Sequence, residues 1–209
     1  MKERSTLTLS ELADAIGPPG RSRRLVAVAG PPGAGKSTVA EALARHMGAA
    51  LVAQDGWHLD DVLLDERGLR ARKGAPNTFD VAGLRSALER IRAGEDVLVP
   101  VFDRTLDIAR NCAARVAPDA PLVLVEGNYL LLGDAPWDAL APLLDFTILL
   151  APSLDTLRER LVQRWLDHGR SPRDAAAWVE SNDLPNARAV LDRSRDADIR
   201  VGHVDLAAG

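Results

Sequence analysis

The sequence predicts an α/β fold in which helices cover both faces of a parallel β-sheet. Its short apolar runs are continuous rather than alternating, which is typical of strands buried on both faces. Helical patterns lie between these runs, so strand and helix alternate along the chain. A glycine-rich loop joins one apolar run to the helical pattern that follows it. Ligands of such sheets gather beyond the carboxyl ends of the strands, and a site is expected there.

The composition narrows the classes of function. The chain has 209 residues, 46% hydrophobic, and a formal net charge of -4, which fits one globular domain and no nucleic-acid partner. Its apolar runs are far shorter than the roughly 20 residues that cross a bilayer. Cys112, the single cysteine, excludes an internal disulfide and is expected to be buried or half-buried. No secretory leader opens "MKERSTLTLS", so we expect a cytoplasmic protein; a homodimer is one open alternative for its assembly.

A short extension precedes the alternating strands and helices. Residues 1–24 are expected to be an N-terminal helical extension, with Ser10 as the cap of "LSELADAIG" and "PPGRSRR" as a linker to the domain at 25–209. The predicted helices of that domain are Ser37–Met47, Val81–Arg92 capped by Asp80, and Leu154–Leu166. The predicted strands are "LVAVAG" at 25, "ALVAQ" at 50, "DVLVPVF" at 96, "PLVLVEG" at 121, "FTILLAP" at 146, and a last strand in "RVGHVD".

The loop "GPPGAGKST" has the spacing of a phosphate-binding loop between a strand and a helix. Glycines let backbone amides curl around a phosphate, and the helix start adds free N–H groups. Lys36 is expected to reach the β- and γ-phosphates, and the Ser37 hydroxyl suits Mg²⁺. The alternative is a glycine-rich turn with a chance lysine. The predicted nucleotide-binding residues are Gly30, Pro31, Pro32, Gly33, Ala34, Gly35, Lys36, Ser37 and Thr38.

Asp55 ends the second predicted strand, so we expect it at the same sheet edge as the phosphate loop. A kinase needs a carboxylate there to take the proton of an acceptor hydroxyl. The alternative is that Asp55 only forms a turn with Gly56. Trp57 and His58 follow as candidate acceptor contacts, with ordinary packing under a loop as their alternative.

Two further strand ends carry charged residues. Glu126 in "LVEGNY" is a candidate for holding Mg²⁺ or orienting the acceptor, and the alternative is a turn acid before Gly127. Asp103 and Arg104 in "FDRTLD" are candidate acceptor contacts. Arg104 has a second interpretation, a surface ion pair with Asp103 or Asp107.

Arginines after the fifth apolar run predict a helical lid. Arg160 and Arg164 lie one turn apart, and Arg170 and Arg173 follow in a break rich in Gly and Pro. Such arginines can fold over a triphosphate, exclude water and neutralise charge during transfer. A solvated helix face is the alternative. Upstream, Lys73 lies in "RKGAPNTFD", which is either a shaped loop or a solvated basic tip.

The segments "GPPGAGKST", "QDGWHL", "RKGAPNTFD", "PVFD" and "VLVEGNYLL", in this order, resemble the P-loop kinase family of uridine kinases, phosphoribulokinases and pantothenate kinases. The likeness covers about residues 25–195 and is strongest to bacterial proteins labelled fructose transport system kinases. It implies a three-layer P-loop NTPase fold with five parallel strands in the order 2-3-1-4-5 and a lid at about 158–182. It also implies Asp55 as acceptor base, Glu126 as the acid of the "EG" strand end, and lid arginines among Arg160, Arg164 and Arg170. Asn186 is expected near adenine in a loop after the lid, or else as a helix cap.

These observations predict an ATP- and Mg²⁺-dependent phosphotransferase that acts on a hydroxyl of a small molecule. In uridine kinases a Thr and a His follow the corresponding "YDF", whereas this chain has "FDRTLD", which favours a small polar alcohol, such as a sugar or a pantothenate-like acid, over a nucleoside. Nucleoside or pantothenate phosphorylation stays an alternative. The alternative of another class is a nucleotide-dependent switch or assembly factor that acts on a protein partner.

Overall fold

A six-stranded parallel sheet forms the centre of the computed structural model, which describes residues 2–20 and 22–207. The strand order in this sheet is β1-β8-β7-β2-β6-β3, and a separate two-stranded sheet pairs β4 with β5. The strands are β1 (Lys2–Thr8), β2 (Arg24–Ala29), β3 (Ala50–Ala53), β4 (Val97–Asp103), β5 (Ile108–Val116), β6 (Leu122–Gly127), β7 (Phe146–Leu150) and β8 (Ile199–Asp205).

The expected five-strand order is confirmed, with one strand added. Counted along the chain, β2, β3, β6, β7 and β8 are parallel strands 1 to 5, and they lie in the order 2-3-1-4-5. The added strand, β1, pairs in parallel with β8 at one edge. Residues 1–24 therefore supply a sheet strand as well as the expected helix.

The N-terminal helix α1 (Leu9–Ile16) is capped by Thr8, so the expectation of a Ser10 cap was wrong. The Thr8 hydroxyl accepts a hydrogen bond from the Glu11 backbone N–H at 3.1 Å, and the Glu11 carboxylate accepts from the Thr8 N–H at 2.8 Å. This capping box satisfies two helix-end donors at once. Within the predicted extension and the frayed C-terminal end, Met1, Arg21 and residues 208–209 lie outside the described residues.

The run "DVLVPVF" does not join the parallel sheet, contrary to the sequence-based expectation. It forms β4, which pairs antiparallel with β5 as a separate hairpin. Val97 and Val99 are buried while Leu98 between them is 56% exposed, an alternation typical of a strand covered on one face only. Cys112 in β5 is exposed and has a positive φ of 51°, so the expectation of a buried cysteine was also wrong.

Helices cover the parallel sheet on both faces. Within the described ranges, five of them begin after a side-chain cap, including the predicted cap Asp80, whose carboxylate accepts from the Gly83 N–H at 2.9 Å. After α1 the helices are α2 (Lys36–Met47), α3 (Asp61–Glu66), α4 (Val81–Arg92), α5 (Leu154–Asp167), α6 (Pro172–Trp178) and α7 (Leu184–Arg193). A π-helical turn (Val179–Asp183) joins α6 to α7, and 3₁₀ turns are formed by Gln54–Trp57, Arg70–Arg72, Pro76–Thr78 and Trp137–Leu143.

The core has one apolar cluster on each face of the sheet. Alternate residues of β2 divide between them: Val26 and Val28 belong to the first cluster, and Leu25 and Ala27 to the second. The first cluster packs α1, α2, α5 and α7, and the second packs α4 and the hairpin. Both faces of β2 are thus buried, as its continuous apolar sequence predicts. Among the described residues, no helix is both long and apolar enough to span a membrane.

Candidate active site

The phosphate loop connects β2 to α2 at the carboxyl edge of the sheet. Gly35 is the N-cap of α2 with φ +87°, a left-handed conformation that favours glycine. A Cβ added at Gly33 would lie 3.0 Å from Leu161 Cγ, so the loop packs closely against α5. The free N–H groups at the start of α2 and the loop backbone form a cradle suited to an anion.

Lys36, in the first turn of α2, is held inside this loop. It is 8% exposed, and its Nζ donates a hydrogen bond to the Pro31 carbonyl oxygen at 3.0 Å. Burial lowers the pKa of Lys36, whereas the carboxylates of Glu126 and Asp55 act in the opposite direction. The strand register places Glu126 opposite Ala53, which directly precedes the turn with Asp55, and opposite Val28, which precedes the phosphate loop, so Lys36 and both carboxylates lie at one edge of the sheet.

Glu126 lies at the end of β6, opposite Val28 of β2 and Ala53 of β3 in the strand register. It is 5% exposed, and the Ser37 hydroxyl donates to its Oε1 at 3.3 Å. Burial raises the pKa of Glu126, and the Lys36 ammonium opposes that rise. A buried carboxylate needs a nearby cation, and this one faces the loop lysine.

Asp55 lies in the 3₁₀ turn Gln54–Trp57, directly after β3. Its Oδ2 accepts a hydrogen bond from Arg104 Nη2 at 3.0 Å, in an ion pair whose Asp55 side chain is 25% exposed. Arg104 comes from the turn between β4 and β5, so the hairpin reaches across to this site. The predicted surface pair of Arg104 with Asp103 or Asp107 is not the one that forms.

Asp103 stabilises the hairpin turn. Its Oδ1 accepts from the backbone N–H groups of Thr105 and Leu106 at 3.0 and 3.1 Å, and its Oδ2 lies 3.4 Å from Arg110 Nε. These contacts occupy the Asp103 carboxylate, while they hold the turn that carries Arg104. An acceptor contact by Asp103 stays a prediction.

Gln54 was not identified from the sequence, although it ties two parts of the site together. It is fully buried, and its Oε1 accepts from the Tyr129 backbone N–H at 2.9 Å, which links the turn carrying Asp55 to the chain after Glu126. Its Nε2 is buried without a hydrogen-bond partner in the described structure. The only signal was a polar residue at the end of an apolar run.

The two residues after Gly56 have different environments. Trp57 is 7% exposed and belongs to the second apolar cluster, which supports the packing interpretation of its ring. His58 Nδ1 donates to the Asp55 carbonyl oxygen at 2.8 Å, and its ring lies between Phe79 and Phe102, with centroid distances of 4.1 and 4.7 Å. Burial lowers the pKa of His58.

The arginines of the predicted lid have different environments. Arg160 Nη1 donates to the Gly33 carbonyl oxygen at 3.4 Å, which places it at the phosphate loop. Arg164 is exposed one turn further along α5, and a contact with the phosphates stays a prediction. Arg170 instead lies between two indole rings, 4.5 Å from the centroid of Trp165 and 4.6 Å from that of Trp178. Arg173 is exposed in α6.

Asn186 lies in α7 and is 5% exposed, so the expectation that it lies in a loop was wrong. The helix-cap interpretation was also wrong, because Asp183 precedes α7 at the N-cap position. The π-helical turn continues directly into α7, which leaves no loop between them. An adenine contact by Asn186 stays a prediction.

Comparisons with known proteins agree with this geometry. Residues 5–154 match the family model of the AAA ATPase domain, a stretch that includes the phosphate loop and Glu126. A solved structure from Silicibacter sp. TM1040, provisionally named a fructose transport system kinase, is 41% identical. The alignment covers 93% of this chain and 98% of that one, with a TM-score of 0.89.

Two curated relatives match over part of their length. The Escherichia coli K12 protein named "Uncharacterized protein YggC" is 42% identical over 70% of this chain and 61% of its own length. A pantothenate kinase from Parvibaculum lavamentivorans is 32% identical over 64% of this chain and 43% of its own length. This chain therefore spans less than two thirds of either relative.

Solved structures below 25% identity share the fold. A provisionally named uridine kinase from Bacillus stearothermophilus has a TM-score of 0.58 at 18% identity, and the phosphoribulokinase from Rhodobacter spheroides has 0.54 at 16%. The phosphate loop, the strand order and the extensive match to the Silicibacter structure lead to one assignment. The chain belongs to the P-loop proteins that the AAA ATPase domain model matches and, among them, to the kinase family of uridine kinases, phosphoribulokinases and pantothenate kinases.

Proposed function

We propose that the protein is an ATP-dependent kinase that transfers the γ-phosphate to a hydroxyl of a small molecule, with a sugar as the acceptor class. The observation that carries the proposal is the position of Glu126 in the sheet: it lies opposite Val28, just before the phosphate loop, and opposite Ala53, just before the turn with Asp55, and it accepts a hydrogen bond from Ser37 at 3.3 Å. Adjacent strands β2, β6 and β3 bring the phosphate loop and both carboxylates to one edge of the sheet. A kinase needs this combination of phosphate cradle, metal-side carboxylate and acceptor-side carboxylate.

The chain's own residues account for binding and proton transfer. The loop from Gly30 to Thr38 binds the phosphates through its backbone amides, and Lys36 neutralises the terminal ones. Asp55 accepts the proton of the acceptor hydroxyl as its oxygen attacks phosphorus. Arg104 pairs with Asp55 at 3.0 Å and so fixes the orientation of this carboxylate. Arg160 and Arg164 neutralise charge on the transferring phosphoryl group.

Ser37 and Glu126 fit the requirements of a nucleotide-bound Mg²⁺. Magnesium in kinases takes one or two protein oxygens, and phosphates and waters complete its shell. The hydroxyl and carboxylate lie 3.3 Å apart beside the phosphate loop, and no group of three or more His, Cys, Asp or Glu side chains among residues 2–20 and 22–207 competes as a metal site. When bound, the ion would neutralise phosphate charge.

The sugar assignment rests on the Silicibacter relative, whose provisional name refers to fructose, and on the divergence of "FDRTLD" from the uridine kinase pattern. A second candidate acceptor is pantothenate, which the 32% identity to the Parvibaculum enzyme favours. Both are small molecules with a primary hydroxyl, so they share the chemistry at Asp55.

The experiment measures the rate of ADP release in the presence of an acceptor and compares the Asp55→Asn variant with the wild-type protein. The amide cannot take the proton, so we expect turnover to fall by about a hundredfold or more, while ATP affinity by isothermal titration stays within about twofold. The matched control is Asp65→Asn, which removes a surface carboxylate of α3 that is 63% exposed. Unchanged turnover in Asp55→Asn would remove Asp55 from the chemistry, and stimulation of hydrolysis only by a protein partner would favour a switch.

A further inference from the structure

A cavity of about 170 Å³ lies between the segment His58–Asp61, Lys73 and the hairpin. It neighbours the turn that carries Asp55 through His58, whose Nδ1 contacts the Asp55 carbonyl oxygen at 2.8 Å. We name it the acceptor pocket. Its lining includes His58, Asp60, Asp61, Lys73, Phe102 and Asp107. Only His58 among these was a predicted site residue; Asp60 and Asp61 follow it closely in sequence, whereas Lys73, Phe102 and Asp107 come from other segments.

The one cation in this lining has no free hydrogen-bond donor. Lys73 Nζ donates to Asp61 Oδ1 at 2.9 Å, to the Asp107 carbonyl oxygen at 2.7 Å and to Asp107 Oδ2 at 2.8 Å. An ammonium has three donors, so all three are used. The Lys73 side chain is 15% exposed, so it is not the solvated basic tip that the sequence left open. Arg70, outside the lining, is likewise paired with Asp61 at 2.8 Å.

The unused polar atoms of the pocket are hydrogen-bond acceptors. A carbonyl oxygen only accepts, so the His58 Nδ1 that contacts the Asp55 carbonyl carries the proton, and Nε2 of the neutral ring is an acceptor. Asp60 uses Oδ1 to cap α3 at Val62, and its Oδ2 accepts no hydrogen bond from the described residues. Asp107 likewise uses only Oδ2 for Lys73. Ligand hydroxyl groups can donate to all three atoms.

The charge of the lining disfavours an anion. Three carboxylates face one ammonium, so the pocket is net negative, and an acidic ligand would meet like charges without a free cation. The Phe102 ring beneath Lys73, with the ammonium 5.5 Å from its centroid, and Ile108 give the pocket an apolar wall. An apolar wall facing several acceptors suits a molecule with a C–H face and several hydroxyls.

We propose that the acceptor pocket selects a neutral polyhydroxyl compound and rejects acceptors that carry a carboxylate or a phosphate. The selecting residues are Asp60, Asp107 and the Lys73–Asp61 pair, which keeps the lysine from binding an anion. The inference rests on the proposed kinase function and separates its two candidate acceptors, since a sugar is neutral and pantothenate is an acid.

The test measures kcat/KM by ADP release for neutral sugars and polyols, for the acids glycerate and pantothenate, for sugar phosphates, and for an amino sugar as a cationic probe. We expect the best neutral acceptor to exceed every acidic one by about a hundredfold. The double variant Asp61→Asn, Asp107→Asn removes the two carboxylate charges that neutralise the Lys73 ammonium, and we expect the ratio of neutral to acidic kcat/KM to fall at least about tenfold. Asp65→Asn, on the same helix but outside the pocket, should leave the ratio unchanged.

The possible outcomes distinguish a failure of the pocket assignment from a failure of the proposed kinase function. Efficient phosphorylation of an acidic acceptor with inert neutral ones overturns the pocket assignment and leaves the kinase function intact. A preference for the amino sugar over its neutral parent also overturns the neutral class. A lack of turnover with every acceptor overturns the proposed function, and the inference with it. Should the double variant not fold, the single variant Asp107→Asn must show the same direction of change, and an unchanged ratio in it contradicts the role of the ion pair.

Discussion

Gly56 lies against the backbone of β4, and its replacement by alanine tests how the hairpin is seated at the site. A Cβ at Gly56 would lie 2.4 Å from the Pro100 carbonyl oxygen and 2.7 Å from its carbonyl carbon. The shorter contact is 1.0 Å below the 3.4 Å lower limit of ordinary van der Waals contact. Because the obstacle is backbone, relief requires that the hairpin or the turn carrying Asp55 move by about 1 Å.

Such overpacking typically costs about 1–3 kcal/mol, so we expect Gly56→Ala to lower the free energy of unfolding by about 2 kcal/mol in urea denaturation. The same shift separates Asp55 from Arg104. A misplacement of about 1 Å can cost up to a hundredfold in rate, so acceptor kcat/KM should fall by between about ten- and a hundredfold. ATP affinity should not change, because the phosphate loop lies on β2 and α2.

Gly133→Ala is the matched control, since its nearest contact, the Arg193 carbonyl oxygen, is at 3.5 Å. We expect that variant to unfold within about 0.5 kcal/mol of wild type. If Gly56→Ala were equally stable and equally active, the close approach of β4 to the Asp55 turn would be refuted. A loss of ATP affinity equal to the loss of acceptor efficiency would show that the damage spreads beyond the hairpin.

Two further predictions concern stability. Arg170→Ala removes the cation between Trp165 and Trp178 and should destabilise the protein by about 1–2 kcal/mol in thermal or urea unfolding, whereas Arg173→Ala, at an exposed position, should have no effect. The pKa of His58 is lowered in the folded protein. As the pH falls below the ordinary histidine pKa of 6.5, the unfolded chain therefore binds a proton at this residue before the folded chain does. The contribution of His58 to the free energy of unfolding is therefore present above pH 6.5 and is lost on acidification. Between about pH 7.5 and 5 the wild type should lose more of its free energy of unfolding than His58→Asn does. Equal losses in the two proteins would contradict the burial of the His58 ring.

The fold could be predicted wherever a short stretch of sequence has a pattern that is typical of one structure. Continuous apolar runs identified β2, β3, β6 and β7, the segment "RVGHVD" identified β8, and the glycine spacing located the phosphate loop. The strand at Lys2–Thr8 was missed because "KERSTLT" has few apolar residues and pairs at an edge. The run at Val97 was assigned to the wrong sheet, since its alternation of buried and exposed residues is short and interrupted by Pro100.

The arrangement of the site was predictable where a motif or a strand end fixes the residue. Lys36 follows from the spacing of the phosphate loop, and Asp55 and Glu126 follow from the rule that parallel strands end at one edge. The pairing of Arg104 with Asp55 joins residues 49 apart in sequence, and the contact of Lys73 with Asp107 spans 34. Both depend on the path of the hairpin, which no local pattern encodes. The choice of Arg160 over Arg170 at the phosphate loop likewise depends on the two indoles that hold Arg170.

The stacked rings around Arg170 also give the protein an optical reporter. The chain has four tryptophans; Trp165 and Trp178 lie 5.9 Å apart in the helical pair, and Trp57 and Trp137 lie in the core on the other face of the sheet. A displacement of α5 from α6 would alter the quenching and exciton coupling of the first pair while the emission of the second pair stayed constant. With Trp57 and Trp137 replaced by phenylalanine, stopped-flow fluorescence could test, without an added dye, whether nucleotide moves α5 relative to α6.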